Sequence, residues 1–207
     1  MLLYYITDRQ QFAGDEAERR HLLLERIAVA ARAGVDYIQL REKDLGAREL
    51  AALAREAVAA VEGTAAKLLV NARVDVALSC GAAGVHLPSD GMLASDARAI
   101  AGGFRNQFTI GVSCHTAGEV RMAWSHGADI AVFAPVFEKN GRDGVGVNAL
   151  REACNCCPLP VFALGGVTQE NSAECLEAGA AGVAGIRLFQ WGEVARTVEE
   201  LWDGQKQ

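Results

Sequence analysis

A single-domain (β/α)8 TIM barrel is the fold the sequence predicts, and three observations predict it. Short apolar runs alternate with amphipathic stretches through eight rounds of the 207-residue chain, the pattern of a parallel sheet covered by helices. A glycine followed by a small residue introduces every second apolar run: GVDYIQL from Gly34, GAAGVHL from Gly81, GADIAVF from Gly127 and GAAGVAG from Gly179, at intervals of 47, 46 and 52 residues. A recurring unit of that size is a pair of βα modules, and four pairs close an eight-stranded barrel. The rival, an open doubly wound sheet, normally carries a glycine-rich nucleotide turn after its first strand, where this chain has Thr7-Asp8-Arg9. The length suits one sizeable core, so residues 1–207 are expected to form one domain.

The elements follow in order. Residues 2–6 form an apolar first strand, and residues 15–33 turn helical until Gly34 stops them. Residues 35–41 are the second strand. The next helix is the cleanest, with Leu50, Leu53, Ala54, Ala57, Val58 and Val61 on one face before Gly63. Residues 67–71 and 83–87 are the third and fourth strands, separated by a short helix over 74–80, and residues 95–101 form a further helix. The fifth strand runs over 108–112. Thr116, with Glu119 three residues on, predicts a capping box opening the following helix. Residues 129–133 are the sixth strand, and residues 135–146 a long irregular stretch. A helix over 147–154, a strand over 160–164, a helix over 168–178 capped by Thr168, a strand over 181–186 and a helix over 194–202 complete the pattern.

Composition narrows the function. The net charge of −6, with no evident basic face, argues against nucleic acid as a partner. No apolar run reaches the ~18 residues of a membrane span, and no signal peptide is visible, so a cytoplasmic protein is expected. Six cysteines without a secretory signal read as reduced thiols. Cys154, Cys156 and Cys157 fit no zinc spacing and read as helix-end or redox-reactive residues. The oligomeric state stays open, a homo-oligomer included.

In a barrel, chemistry gathers where strands end. Residues 37–44 (YIQLREKD) alternate so that Tyr37, Gln39 and Arg41 face one way and Ile38 and Leu40 the other. Alone, this stretch reads as a solvated strand end. The barrel adds Asn71 after strand three, Ser89 and Asp90 after strand four, and Ser113, His115 and Thr116 after strand five. Lys139 and Arg142 follow strand six, Gly165 and Gly166 strand seven, and Arg187 strand eight. These cations, hydroxyls and backbone donors suit a small phosphorylated ligand, and the Gly-Gly turn with Arg187 matches a barrel phosphate site. His86 reads as a hydrogen-bonded interior residue, His126 as a helix-terminal one and His21 as a surface one, whereas His115 sits among strand-end hydroxyls where function is expected.

At these residues the chain resembles the thiamin phosphate synthase family and its relatives, the thiazole tautomerases. The resemblance rests on YYITDR, GVDYIQLREKDL, LLVNARVDVAL, GVHL, IGVSCHT, GADIAVFAPVF, GVGVNAL, LPVFALGGVT and GAAGVAGI. It implies a Mg2+-dependent transferase that joins hydroxymethylpyrimidine diphosphate to hydroxyethylthiazole phosphate, giving thiamin phosphate and pyrophosphate. By position, Gln39, Arg41 and Lys43 would hold the diphosphate, with Arg41 and Lys43 stabilising the departing charge. Asn71 and Ser113 would position the pyrimidine, and Gly165, Gly166, Ile186 and Arg187 would surround the thiazole phosphate.

Departures from the family pattern accompany it. Ala72 stands where a magnesium-binding Asp is usual, Asp90 falls one place before the other, Phe137-Glu138-Lys139-Asn140-Gly141 replaces a Thr-Lys closing loop, and Arg187 replaces a small hydroxyl residue. On the synthase reading Asp90 is the remaining metal ligand and the Lys139/Arg142 loop substitutes for the lost one, with Thr116 a further substrate contact. The alternative is a metal-independent thiazole tautomerase with His115 as acid–base. The third reading is a non-catalytic barrel that binds thiazole phosphate or thiamin phosphate.

Overall fold

A computed structural model describes residues 1–102, 108–138, 141 and 143–203. Its strands are β1 (Leu2–Ile6), β2 (Tyr37–Leu40), β3 (Lys67–Asn71), β4 (Gly84–Leu87), β5 (Thr109–Cys114), β6 (Ile130–Phe133), β7 (Val161–Ala163) and β8 (Gly182–Gly185). All pair in parallel in chain order, and β1 closes on β8 with Leu2 opposite Gly182 and Tyr5 opposite Gly185. The expected TIM barrel is therefore what forms. Its helices are α1 (Glu16–Ala33), α2 (Ala47–Val61), α3 (Val74–Cys80), α4 (Ala94–Ala101), α5 (Ala117–Ser125), α6 (Gly146–Asn155), α7 (Ser172–Glu177), α8 (Arg187–Gln190) and α9 (Val194–Asp203). Among the described residues, no helix is long and apolar enough to cross a membrane.

The glycine repeat has a local cause. Gly34 and Gly81 cap α1 and α3 in the left-handed region, and Gly127 and Gly179 take positive φ just past α5 and α7. Each turn reverses the chain from an odd-numbered helix into an even-numbered strand, a conformation that costs a residue with a Cβ ~1–2 kcal/mol. At the other end of α1, Asp15 and Glu18 form a closed capping box.

Three elements depart from expectation. β5 runs two residues further than its apolar run, because Ser113 and Cys114 continue the ladder opposite Val132 and Phe133. Thr168 does not cap α7: it exchanges hydrogen bonds with Asn171, whose side chain accepts from Thr168 N at 2.8 Å. That turn delays α7 until Ser172. α8, a single turn, was not foreseen. Cys156 ends α6, its thiol donating to Ala153 O at 3.1 Å, as a helix-end residue would, and the six cysteines are free.

Alternation along the strands divides the apolar residues in two. Leu3, Tyr5, Ile38, Leu40, Val70 and Val85 face the helices, whereas Tyr4, Ile6, Leu69, Ile130, Val132, Phe162 and Ala184 fill the barrel. Tyr4, Tyr37 and Phe162 meet edge-on or tilted at 5.5–5.7 Å between centroids, contacts worth about 0.5–1.5 kcal/mol each beyond area burial. One polar chain runs through this interior. Gln39 Nε2 donates to Tyr4 Oη at 3.1 Å, Tyr4 Oη lies 2.9 Å from His86 Nδ1, and His86 Nε2 lies 2.9 Å from Ser113 Oγ. Gly111 makes the room, since a Cβ there would stand 2.8 Å from His86 Nδ1. His86 is thus the hydrogen-bonded interior residue that its alternation suggests.

Burial, reinforced by the Arg41 charge, pushes the His86 pKa down to about 3. An unfolded histidine titrates near ~6.5, so below that pH the unfolded chain takes up a proton that the folded one refuses. Stability from this residue is complete above ~6.5 and falls by about 1.4 kcal/mol per pH unit towards pH 3. Urea denaturation of the wild type and His86→Gln at pH 7 and 4.5 should show the two stability curves converging as pH falls; parallel curves would contradict the buried neutral imidazole.

Candidate active site

Among the described residues, two large pockets open at the C-terminal ends of the strands. The first, of about 650 Å3, has Gln39 below and Arg41 and Lys43 on one side, Asn71, Ser89 and Asp90 on another, and Ser113 and His115 opposite. The second, of about 920 Å3, lies between the Gly165-Gly166 turn and Arg187, with Asp8, Glu138 and Thr168 on its rim. Leu164 and Ile186 line both, so one apolar wall is shared.

A buried charge network holds the first pocket in shape. Arg9, 3% exposed, sends Nη1 to Glu42 at 3.1 Å, Nη1 and Nη2 to the two oxygens of Asp44 at 2.7 and 2.6 Å, and Nε to Glu16 at 3.0 Å. Glu42 also accepts from Thr7 Oγ1 at 2.6 Å and from Arg9 N, and Thr7 Oγ1 accepts from Arg41 N at 2.9 Å. The segment after β2 is therefore split: the carboxylates of Glu42 and Asp44 bind Arg9, Glu42 from the pocket's edge, while Arg41 and Lys43 line the pocket without an Arg9 bond. The Arg9 bidentate pair holds the Asp44 carboxyl well below its usual range. Burial raises Glu42, against the lowering hydrogen bonds of Thr7 and Arg9; with several donors on its oxygens, Glu42 is a structural anion and no free base.

The same turn reaches the second pocket. Gln190 of α8, fully buried, accepts from Asp8 N and Tyr5 Oη at 3.1 Å and donates to Asp8 O at 2.6 Å. Neither Arg9 nor Gln190 was singled out as a candidate from the sequence. The signal for Arg9 was a Thr-Asp-Arg run ending an apolar strand, whose partners lie 33 and 35 residues away; Gln190 carried no local signal.

The other candidates are placed as follows. Gln39, Arg41, Lys43, Asn71, Asp90, Ser113 and His115 converge on the first pocket, and Gly165, Gly166 and Arg187 on the second, with Ile186 between. Thr116 lines neither, because its hydroxyl accepts from Glu119 N at 3.1 Å as the cap of α5. The expected capping box is only half made: the Glu119 carboxylate accepts from His115 N at 2.7 Å instead of Thr116 N. His115 Nδ1 lies 2.7 Å from Ala134 O, and a carbonyl only accepts, so the neutral ring carries its proton on Nδ1 and its lone pair on Nε2. His126 Nδ1 lies 2.8 Å from Met122 O at the end of α5, and His21 is an exposed partner of Glu25. Lys139 and Arg142 lie outside the described residues.

The Gly165-Gly166 pair has a packing reason beside the expected phosphate one. Both have positive φ, and a Cβ would stand 2.6 Å from Pro135 Cα at Gly165 and 2.5 Å from Glu138 O at Gly166. The segment after β6 lies directly on this turn, with Phe137 N donating to Gly165 O at 2.9 Å. Among the described residues, the only carboxylates lining the first pocket are Glu42, already bound, and Asp90, which is exposed. Ala72 holds φ 61°, the one non-glycine in the left-handed region among the described residues. Among those residues no group of three or more His, Cys, Asp or Glu side chains could hold a metal ion.

Known proteins resemble this chain over most of its length. The thiamine monophosphate synthase family model matches residues 3–189. A putative thiamine-phosphate synthase of Geobacter sulfurreducens is 44% identical over 186 residues, covering 88% of this chain and 83% of that protein. A thiamine-phosphate synthase of Methanoregula boonei is 39% identical over 188 residues, covering 89% and 83%. Among solved structures, thiamine phosphate pyrophosphorylase from Pyrococcus furiosus superposes with a TM-score of 0.83 at 30% identity, over 98% of this chain and 94% of that one. A match through all eight strands, in a barrel whose mouth carries the motif residues, makes the chain a member of the thiamine monophosphate synthase family.

Proposed function

We propose that the chain is a thiamine-phosphate synthase, a transferase that moves the hydroxymethylpyrimidine group from its diphosphate to hydroxyethylthiazole phosphate. The observation that carries this reading is Arg41 and Lys43 at the mouth of the first pocket, with Gln39, Asn71 and Ser113 below them, a cation pair over a slot for a flat polar ring. The second pocket, behind the shared wall of Leu164 and Ile186, takes the thiazole phosphate at the Gly165-Gly166 turn and Arg187. Residues 1–207 are read as one barrel domain bearing both subsites.

In the reaction the bond between the pyrimidine methylene and the diphosphate oxygen breaks, and its electron pair leaves with the pyrophosphate. The thiazole nitrogen supplies the pair for the new C–N bond. Charge accumulates on the departing diphosphate, where the Arg41 fork and the Lys43 ammonium stabilise it. Asn71 and Ser113 orient the ring, and Leu164 and Ile186 exclude water between the two reacting groups.

A magnesium ion, when bound, neutralises part of the diphosphate charge. Its fit here is narrow: Asp90 is the available carboxylate, so the ion would be shared with substrate oxygens, as Mg2+ commonly is. The two other readings are not favoured, since a tautomerase has no diphosphate for Arg41 and Lys43 to hold.

Incubation with both substrates and Mg2+ should release pyrophosphate, and Arg41→Ala should lower kcat by about 10²–10³-fold. Turnover of a thiazole phosphate carboxylate that survives EDTA and collapses in His115→Ala would replace this reading with the tautomerase, and tight product binding without turnover would replace it with the binding barrel. A second test concerns the metal. Asp tolerates the left-handed conformation better than Ala, so Ala72→Asp should fold normally and lower the Mg2+ concentration for half-maximal rate by roughly tenfold; an unchanged magnesium profile would argue that residue 72 does not face the ion.

A further inference from the structure

The chain Gln39–Tyr4–His86–Ser113 has a direction, and the direction matters at its open end. Tyr4 is fully buried, and its Oη has two polar neighbours among the described residues, Gln39 Nε2 at 3.1 Å and His86 Nδ1 at 2.9 Å. An amide NH2 only donates, so it occupies a lone pair of Oη, and the phenolic proton goes to Nδ1. The neutral imidazole then carries its own proton on Nε2 and gives it to Ser113 Oγ at 2.9 Å. Ser113 Oγ is left with its hydrogen for the pocket it lines. The Gln39 amide, the Tyr4 hydroxyl and the His86 Nε2–H each donate one hydrogen bond in the series, which matters because an unmatched buried polar group is costly. Gly111 gives the ring its room, as a Cβ would press on Nδ1 from 2.8 Å.

We propose that Tyr4 and His86 are positioning residues that fill one lone pair of Ser113 Oγ and leave its hydroxyl hydrogen free, so that Ser113 donates to a substrate acceptor, a ring nitrogen or a diphosphate oxygen. The proposal rests on the synthase reading for the identity of the ligand, and on the barrel interior alone for the direction of the chain. Tyr4 touches no substrate; it acts through His86, and His86 through Ser113.

The test separates the two dependencies. In uniformly 15N-labelled wild-type protein without substrate, the His86 ring should show one tautomer, Nε2 protonated and Nδ1 bare; a protonated Nδ1 overturns the proposal whatever the enzyme's activity. In Tyr4→Phe, which keeps the ring packing, the same spectrum should show loss of that single tautomer, and kcat should fall about tenfold with KM for the thiazole substrate unchanged. His86→Leu should lose at least as much, and His86→Gln, which restores a donor near the Nε2 position, should recover most of it. A spectrum that keeps its tautomer in Tyr4→Phe, or equal losses in His86→Leu and His86→Gln, overturns the positioning role. A correct tautomer in a protein that turns over neither substrate pair would leave the relay standing and remove the synthase reading instead.

Discussion

One buried cation, Arg9, sets the geometry on which the site depends. An arginine excluded from water needs anionic partners on all its nitrogens, and Arg9 finds them in Glu42 and Asp44 after β2 and in Glu16 at the start of α1. Glu42 is the buried member of the set, and with Thr7 it pins the end of β1 to the end of β2. Fixing Glu42 and Asp44 on one side leaves their neighbours Arg41 and Lys43 to the other. A net-acidic protein can thereby gather positive charge at one mouth without dispersing it. The removal of one partner would strand a charge, so the network imposes a shape on the segment more than it adds stability.

The same turn couples the two pockets. Asp8 is gripped by Gln190 from α8, while Arg9, its neighbour, grips the segment after β2. The first pocket and the second are thus built on opposite sides of three residues, Thr7 to Arg9, and share the wall of Leu164 and Ile186. A transferase must bring two phosphorylated substrates together in a fixed relation, and a rigid turn between their subsites supplies that relation from the scaffold. Beneath it, the chain from Gln39 to Ser113 crosses the barrel, so the pocket floor is tied to the same strands as its rim.

Much of the fold was legible because its signals are local. The glycines at 34, 81, 127 and 179 recur because each ends an odd-numbered helix in the left-handed region, and strand alternation separated Gln39 and Arg41 from Ile38 and Leu40. Signals failed where a side chain's partner is distant in sequence. Tyr4 and His86 are 82 residues apart, and Tyr5 and Gln190 are 185 apart; nothing local distinguishes these from ordinary interior residues. Hydroxyls misled in another way. Thr116 suits both a substrate contact and a helix cap, and the cap took it. Thr168 suited a helix cap, and a reciprocal turn with Asn171 took it. The family resemblance located Arg41 and Lys43, but the reason that Glu42 and Asp44 lie between them emerged only once Arg9 was seen inside the fold.

The most direct test of this account is the pyrophosphate-release rate of Arg9→Lys at saturating substrates. Lysine keeps the positive charge beside Glu42 but lacks the fork that reaches Glu42, Asp44 and Glu16 together. If Arg9 positions Arg41 and Lys43, the folded variant should lose about tenfold or more in rate although no residue lining the first pocket has changed. A folded Arg9→Lys protein working within about twofold of the wild-type rate would contradict the central role of that charge.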